Sequence, residues 1–129
     1  MRILYVDDDP DLRDIAEWAL EARDDIDLRM ADSGEAAIAM IDDGGWLPHL
    51  IVLDARMPPG LDGPQTLALL RTRAALGETR FAFVTAAREE ERDQLAALQV
   101  DAVLAKPFDP ATFADTLAGI VAKSPDSNP

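Results

Sequence analysis

Four short apolar runs in this 129-residue chain each end on side chains that can take part in chemistry. In chain order the runs and the residues that follow them are 2–6 before Asp7-Asp8-Asp9, 49–53 before Asp54, 81–84 before Thr85, and 102–105 before Lys106. Runs of this length and composition predict buried β-strands. If the strands are parallel, their carboxyl ends share one edge of a sheet, and these side chains would meet there.

Three carboxylates at one sheet edge, those of Asp7, Asp8 and Asp54, would repel one another. Two like charges about 4 Å apart interact by roughly 4 kcal/mol at the dielectric of a protein surface, so the cluster requires a cation. Oxygen ligands in a chain without cysteine favour Mg²⁺, or Mn²⁺ with the same ligands, over zinc. The single histidine, His49, begins a predicted strand away from this edge, and we assign it no role.

A carboxylate beside Mg²⁺ can act as a nucleophile toward phosphorus and form an aspartyl phosphate. Such a transfer requires in-line positioning and stabilisation of the charge on three phosphoryl oxygens. The metal, the Thr85 hydroxyl, the Lys106 ammonium and backbone N–H groups could supply these parts. The residue types therefore indicate phosphoryl-transfer chemistry.

Helical patterns separate the strand runs and predict the elements that position these residues. Apolar residues recur at helical spacing in 10–20, 33–41, 64–76, 88–98 and 109–122, and a further strand is predicted at 26–31. Asp9 is expected to cap the first helix, with Pro10 as its first residue. Five apolar strands alternating with five helices predict an α/β fold whose parallel sheet is covered on both faces. Residues 1–122 would form one domain and 123–129 a polar tail.

The charge of the chain restricts its partners. Twenty-five acidic residues against twelve basic ones give a net charge of −13, which argues against direct binding to nucleic acid. No apolar run approaches the roughly 18 residues of a membrane helix, so we expect no membrane association. The short apolar run at the N-terminus does not fit a signal peptide, and a cytoplasmic location is expected.

Four motifs in this order give the chain a resemblance to a known family. VDDD at 6–9, LDARMPPGLDG at 53–63, VTA at 84–86 and KPF at 106–108 resemble the receiver domains of bacterial response regulators, such as chemotaxis receivers. The resemblance covers residues 1 to about 122. It implies a flavodoxin-like, doubly wound (βα)5 fold with strand order 2-1-3-4-5.

The resemblance also implies how the acidic residues divide their roles. Asp54 would be the phosphoacceptor. Asp8 would bind the metal directly, Asp7 would do so directly or through water, and the backbone carbonyl of Arg56 would be the third protein ligand.

Further roles implied by the family concern the phosphoryl group and signalling. Thr85, Ala86 and Lys106 would lie at the phosphoryl oxygens, and the Lys106–Pro107 peptide would be cis. A sensor histidine kinase or a histidine phosphotransferase would exchange phosphate with the domain, and an output protein would bind the strand-five face. The chain would then be a single-domain response regulator that catalyses only its own phosphorylation and dephosphorylation, and not an enzyme acting on other substrates.

The chain departs from the family pattern at three positions. Gly63 lies nine residues after the acceptor instead of the usual eight, which predicts a loop at 58–63 with one extra residue. Arg56, two residues after the acceptor, adds a positive charge near the site. Val103 stands where an aromatic ring usually moves during signalling, so the usual signalling step lacks its ring.

Two other functions compete with a phosphorylated receiver. A phosphatase similar to the haloacid dehalogenases would use Asp7 and Asp9 as an Asp-x-Asp pair, but it leaves the motif around Asp54 unexplained. A pseudo-receiver would bind partners without phosphorylation, and the full set of acids, Thr85 and Lys106 argues against it.

Overall fold

The computed structural model describes residues 1–123, so the predicted tail lies outside the described residues except for Lys123. Five parallel strands form one sheet in the order β2-β1-β3-β4-β5. The strands are β1 (Arg2–Val6), β2 (Asp27–Ala31), β3 (Leu50–Asp54), β4 (Arg80–Thr85) and β5 (Ala102–Ala105). The predicted flavodoxin-like fold and its strand order are confirmed.

Five α-helices connect and cover the strands. They are α1 (Pro10–Leu20), α2 (Gly34–Asp42), α3 (Gly63–Leu70), α4 (Glu89–Ala96) and α5 (Phe113–Ala122). The side chains of Asp9, Ser33 and Asp62 cap the first three helices by accepting backbone N–H bonds, which is the usual role of these residue types. No helix within residues 1–123 is both long and apolar enough to cross a membrane.

The core consists of one apolar layer on each face of the sheet. Leu4, Leu53 and Phe83 point into the layer beneath α2, α3 and α4, whereas Tyr5 and Val52 point into the layer beneath α1 and α5. Neighbours in a strand alternate between the layers because strand side chains have a period of two. The central strands are buried on both faces as predicted, but the edge strands β2 and β5 remain partly exposed.

Two helices are at least four residues shorter than the sequence pattern predicted, and α4 (Glu89–Ala96) is three residues shorter than the expected 88–98. The helix expected over 64–76 ends at Leu70, because the Thr72 hydroxyl and the Arg73 guanidinium both bond the Leu69 carbonyl at 2.7 Å. A separate 3₁₀ turn follows at Ala74–Leu76. The helix expected over 109–122 begins at Phe113, since Asp109 first forms a turn in which its carboxylate accepts the Ala111 N–H at 2.9 Å.

Candidate functional site

The carboxyl ends of β1, β3, β4 and β5 bring the predicted site residues to one edge of the sheet. Asp54 is the last residue of β3 and Thr85 the last of β4, while Asp7 and Lys106 directly follow β1 and β5. Strand pairing holds them in register: the Asp7 N–H donates to the Ala31 carbonyl at 3.1 Å, and the Lys106 N–H donates to the Thr85 carbonyl at 2.8 Å. The sheet topology alone therefore produces the cluster.

Asp54 lies at the centre of this cluster and is only 7% exposed. The Lys106 ammonium Nζ lies 3.1 Å from Asp54 Oδ2 and 3.2 Å from Asp7 Oδ2, so one cation bridges two carboxylates. Burial, followed by the charge of Asp7, raises the pKa of Asp54 to about 6, and Lys106 opposes that rise. A single ammonium thus leaves the cluster short of positive charge.

The arrangement of the acids fits a divalent cation. One oxygen each from Asp7, Asp8 and Asp54 can be chosen such that all three lie within 4.8 Å of one another. Asp7 and Asp54 are buried and Asp8 is exposed, so the group opens to solvent on the Asp8 side. A set made only of carboxylate oxygens is the chemistry that Mg²⁺ and Mn²⁺ prefer.

Asp7 is fully buried, and besides Lys106 its oxygens accept two hydrogen bonds that the sequence analysis did not identify. The Tyr5 hydroxyl donates to Asp7 Oδ2 at 3.0 Å, and the Asp9 N–H donates to Oδ1 at 3.0 Å. Burial, followed by the charge of Asp7, raises the pKa of Tyr5 above its usual range, so its hydroxyl keeps its proton. The contact between Tyr5 and Asp7 could have been predicted from the sequence, because side chains two residues apart on a strand lie on the same face of the sheet.

Asp9 caps α1 and does not take part in the cluster. Its Oδ1 accepts the Asp11 N–H at 2.9 Å, and Pro10 is the first helical residue, as predicted. This contact occupies the second acid of the Asp-x-Asp pair that a dehalogenase-like phosphatase would need. His49 lies at the opposite edge of the sheet, where its Nδ1 accepts the Arg2 N–H at 2.9 Å.

An open cleft of about 580 Å³ lies above Asp54 and gives it access to a reactant. Its walls include Thr85, Ala86 and Lys106, the three residues expected at the phosphoryl oxygens. Thr85 is buried, and its hydroxyl oxygen accepts the Ala87 N–H at 3.0 Å. The Lys106–Pro107 peptide is cis, the isomer that the resemblance implied.

Arg56 follows the strand end and contacts both the cluster and α4. Its backbone N–H donates to Asp54 Oδ1 at 3.3 Å, while its guanidinium pairs with the carboxylate of Glu91. Glu91 was not recognised from the sequence, because a contact across 35 residues leaves no local pattern. Val103 is half-buried and packs against the core layer that contains Phe83 and Leu95.

The loop between Asp54 and α3 ends at Gly63, which packs closely against the end of β3. Gly63 is the first residue of α3, and its N–H donates to the Ala55 carbonyl at 3.0 Å. In the preceding segment, where the resemblance implied one extra residue, the Pro58–Pro59 peptide is cis and Glu35 of α2 accepts the Leu61 N–H at 3.1 Å. Glu35 was also missed by the sequence analysis.

Replacing Gly63 with alanine is expected to destabilise the protein by about 1–3 kcal/mol, the range of an overpacked core. A Cβ at this position would lie 2.6 Å from the Asp54 carbonyl oxygen and 2.9 Å from both the Ala55 Cα and a Phe83 ring carbon. These neighbours are backbone atoms or a buried ring and cannot move aside cheaply. Chemical denaturation measures the change in the free energy of unfolding.

Gly119→Ala is the matched control for this substitution. Gly119 lies on the exposed side of α5, and a methyl group added there would meet no atom within 4 Å, so alanine should be neutral or stabilise the helix by up to about 1 kcal/mol. Equal stability of Gly63→Ala and wild type would show that the loop has room for the methyl group.

Comparison with known proteins agrees with this geometry. The response regulator receiver domain family matches residues 3–118. The chain therefore belongs to the receiver domains of response regulators, the family that serves two-component signalling.

Named relatives include both a short protein and longer regulators. The uncharacterised 14.6 kDa protein in the sodA1 3′ region of Leptolyngbya boryana is 37% identical over 112 residues, which cover 85% of this chain and 82% of that protein. Response regulator Rre1 of Synechocystis is 31% identical over 98% of this chain, and the transcriptional regulatory protein TrcR of Mycobacterium tuberculosis is 32% identical over 96%. The chain spans 54% of Rre1 and 46% of TrcR, about half of each.

Solved structures share the architecture. The Francisella response regulator 1452 receiver domain superposes with a TM-score of 0.78 at 25% identity, covering 93% of this chain and 95% of that one. The chemotaxis response regulator CheY4 of Vibrio cholerae gives a TM-score of 0.80 over 92% of this chain and 97% of that one. At 24% identity, the similarity to CheY4 shows a shared fold and nothing more.

Proposed function

We propose that this receiver domain accepts a phosphoryl group on Asp54 in a Mg²⁺-dependent reaction, with Mn²⁺ as an alternative ion. The observation that carries the proposal is the position of the Asp54 carboxylate. It is buried at the floor of an open cleft, it shares the Lys106 ammonium with Asp7, and it belongs to an oxygen cluster suited to a divalent ion.

The metal would be held by the side chains of Asp7, Asp8 and Asp54 and by the backbone carbonyl of Arg56. When bound, it would neutralise the crowded carboxylates and stabilise charge on the phosphoryl oxygens. Tyr5 and the Asp9 N–H orient Asp7 by bonding one of its oxygens each, so that carboxylate is fixed before the metal arrives.

In the transfer step, an Asp54 carboxylate oxygen attacks the phosphorus of a phosphohistidine. The new O–P bond forms while the P–N bond breaks, and the electron pair of that bond returns to the imidazole nitrogen of the donor. Lys106 stays close to the modified carboxylate and pairs with a phosphoryl oxygen. The Thr85 hydroxyl and the Ala86 N–H, which also line the cleft, would supply neutral donors to the phosphoryl oxygens, so that the charge is spread over several partners.

The donor would be a sensor histidine kinase or a histidine phosphotransferase in the cytoplasm, and the output would be a change in protein–protein binding at the strand-five face. The net charge of −13 supports a protein partner over nucleic acid or an anionic membrane. Residues 1–122 would act as the receiver unit. Catalysis would extend only to the gain and loss of the domain's own phosphoryl group.

Incubation with acetyl phosphate and Mg²⁺, followed by intact-mass measurement, tests this function. We expect an adduct of about 80 Da, the mass of one phosphoryl group, which does not form when the divalent ion is chelated before acetyl phosphate is added. Borohydride reduction of the acyl phosphate followed by peptide mapping should assign the adduct to Asp54. Absence of the adduct at saturating Mg²⁺ would support the pseudo-receiver instead.

A further inference from the structure

An ion pair links the loop after Asp54 to helix α4. Arg56 from the loop and Glu91 from the first turn of α4 pair through their side chains, and both line the cleft above Asp54. The backbone N–H of Arg56 also donates to Asp54 Oδ1. A single residue therefore contacts the acceptor carboxylate with its main chain and α4 with its side chain.

Helix α4 is weakly anchored apart from this pair. Of its eight residues only Leu95 is buried, and no side-chain cap bonds its first turn. That turn contains three consecutive acids, Glu89, Glu90 and Glu91, and the last two line the cleft in which a phosphoryl group would add negative charge. A helix with so few apolar contacts can change position at low cost.

We infer that a phosphoryl group on Asp54 competes with Glu91 for the Arg56 guanidinium and thereby releases the first turn of α4. The inference rests on the proposed function. A phosphoryl group adds about 1.5 to 2 negative charges, and a guanidinium binds phosphate oxygens more strongly than it binds one exposed carboxylate. Loss of the pair leaves Glu91 and its neighbours facing the new charge, so repulsion favours a displaced helix.

This competition would provide a route from the site to α4 that does not require a ring at position 103. Val103 packs against the core layer that contains Phe83, its neighbour on β4, and its aliphatic side chain has no polar group that could follow the phosphoryl group. Arg56 has such a group. In the unmodified protein Arg56 would contact Glu91, and in the phosphorylated protein it would contact the phosphoryl group. A modification can shift a conformational equilibrium only if it interacts differently with the two conformations, and this change of partner is such a difference.

Hydrogen exchange of the α4 amides, read by mass spectrometry with Mg²⁺ alone and with Mg²⁺ plus beryllofluoride, tests the inference. In wild type we expect beryllofluoride to speed exchange in residues 89–96 about two- to fivefold, the range that loss of one exposed ion pair supports. Glu91→Gln should already exchange at the faster rate with Mg²⁺ alone and should respond little to beryllofluoride.

Glu89→Gln is the matched control, because it removes the same charge from the same helical turn. Within residues 1–123 no ion pair joins Glu89 to Arg56, so this variant should respond as wild type does. A wild-type response in Glu91→Gln, or the loss of the response in Glu89→Gln, would overturn the role of the pair. The acetyl phosphate adduct is measured on the same protein preparations without beryllofluoride: no adduct means that the proposed function fails, whereas an adduct without a change at α4 means that only the coupling fails.

Discussion

Asp54→Asn is expected to take up no phosphoryl group from acetyl phosphate under conditions in which wild type gains one. The amide of asparagine is a poor nucleophile toward phosphorus, and neither of the other two acids of the cluster occupies the position of Asp54 in the cleft. Asp54 is the acid that lies at the floor of the cleft within 3.1 Å of Lys106, whereas Asp7 is fully buried and already bonded through both oxygens. Intact-mass measurement over time gives the uptake of each variant.

Asp9→Asn provides the matched control for this loss. Asparagine caps a helix as well as aspartate does, so α1 should keep its first turn while one negative charge near the site is removed. We expect this variant to take up phosphate like wild type. A phosphatase that used Asp7 and Asp9 would give the reverse pattern, with activity lost in Asp9→Asn and retained in Asp54→Asn.

The same Asp54→Asn substitution should stabilise the metal-free protein. Burial raises the pKa of Asp54 from 3.8 to about 6, so the folded state binds a proton more tightly than the unfolded state does. The resulting stability is present below about pH 4 and is lost as the pH rises through 6, where wild type must keep an ionised buried carboxylate. Asparagine never ionises, so the variant should gain on the order of 1–3 kcal/mol at pH 7.5.

Thermal unfolding at two pH values measures this gain. The difference between Asp54→Asn and wild type should be largest at pH 7.5 without metal and should shrink toward zero near pH 4. Added Mg²⁺ should raise the melting temperature of wild type more than that of the variant, because the variant lacks one carboxylate. An equal difference at both pH values would show that packing, and not the buried charge, separates the two proteins.

The sequence predicted which residues meet at this edge of the sheet because the topology of a parallel sheet does most of the positioning. Once four apolar runs are read as parallel strands, the residues after them must share an edge, and Asp7, Asp54, Thr85 and Lys106 follow without knowledge of any side-chain contact. Partners such as Glu35 and Glu91, which lie far in sequence from the residues they contact, could not be predicted in the same way. Their roles depend on which side chains meet in three dimensions.

The boundaries of two helices were mispredicted for a related reason. An apolar spacing continues past Leu70, and nothing in the pattern reveals that Thr72 and Arg73 bond the Leu69 carbonyl and end the helix. The extra residue before Gly63 could be counted from the sequence, but the path of the longer loop could not be predicted from it. In the structure Gly63 lies so close to the Asp54 carbonyl that a Cβ would be 2.6 Å from its oxygen.

Lys106→Met should have two effects of opposite sign. Phosphoryl uptake should slow by about 100- to 1,000-fold, because the ammonium that would neutralise a phosphoryl oxygen is gone. Metal affinity should increase by roughly fivefold or more, because Lys106 bridges Asp7 and Asp54 at 3.2 and 3.1 Å and therefore competes with a divalent ion for the same oxygens. Mg²⁺ titration by calorimetry and adduct formation by mass spectrometry measure the two effects separately.

Lys123→Met controls for the loss of a lysine, since the chain contains only two. Lys123 is exposed and follows α5, whose end lies toward the edge of the sheet opposite the site, so neither uptake nor metal affinity should change. If Lys106→Met instead lost phosphoryl uptake and metal affinity together, the ammonium would be holding the carboxylates in place for the ion. Slower phosphoryl uptake together with higher metal affinity would thus show that the Lys106 ammonium competes with the metal. A loss of both would show that it organises the metal site.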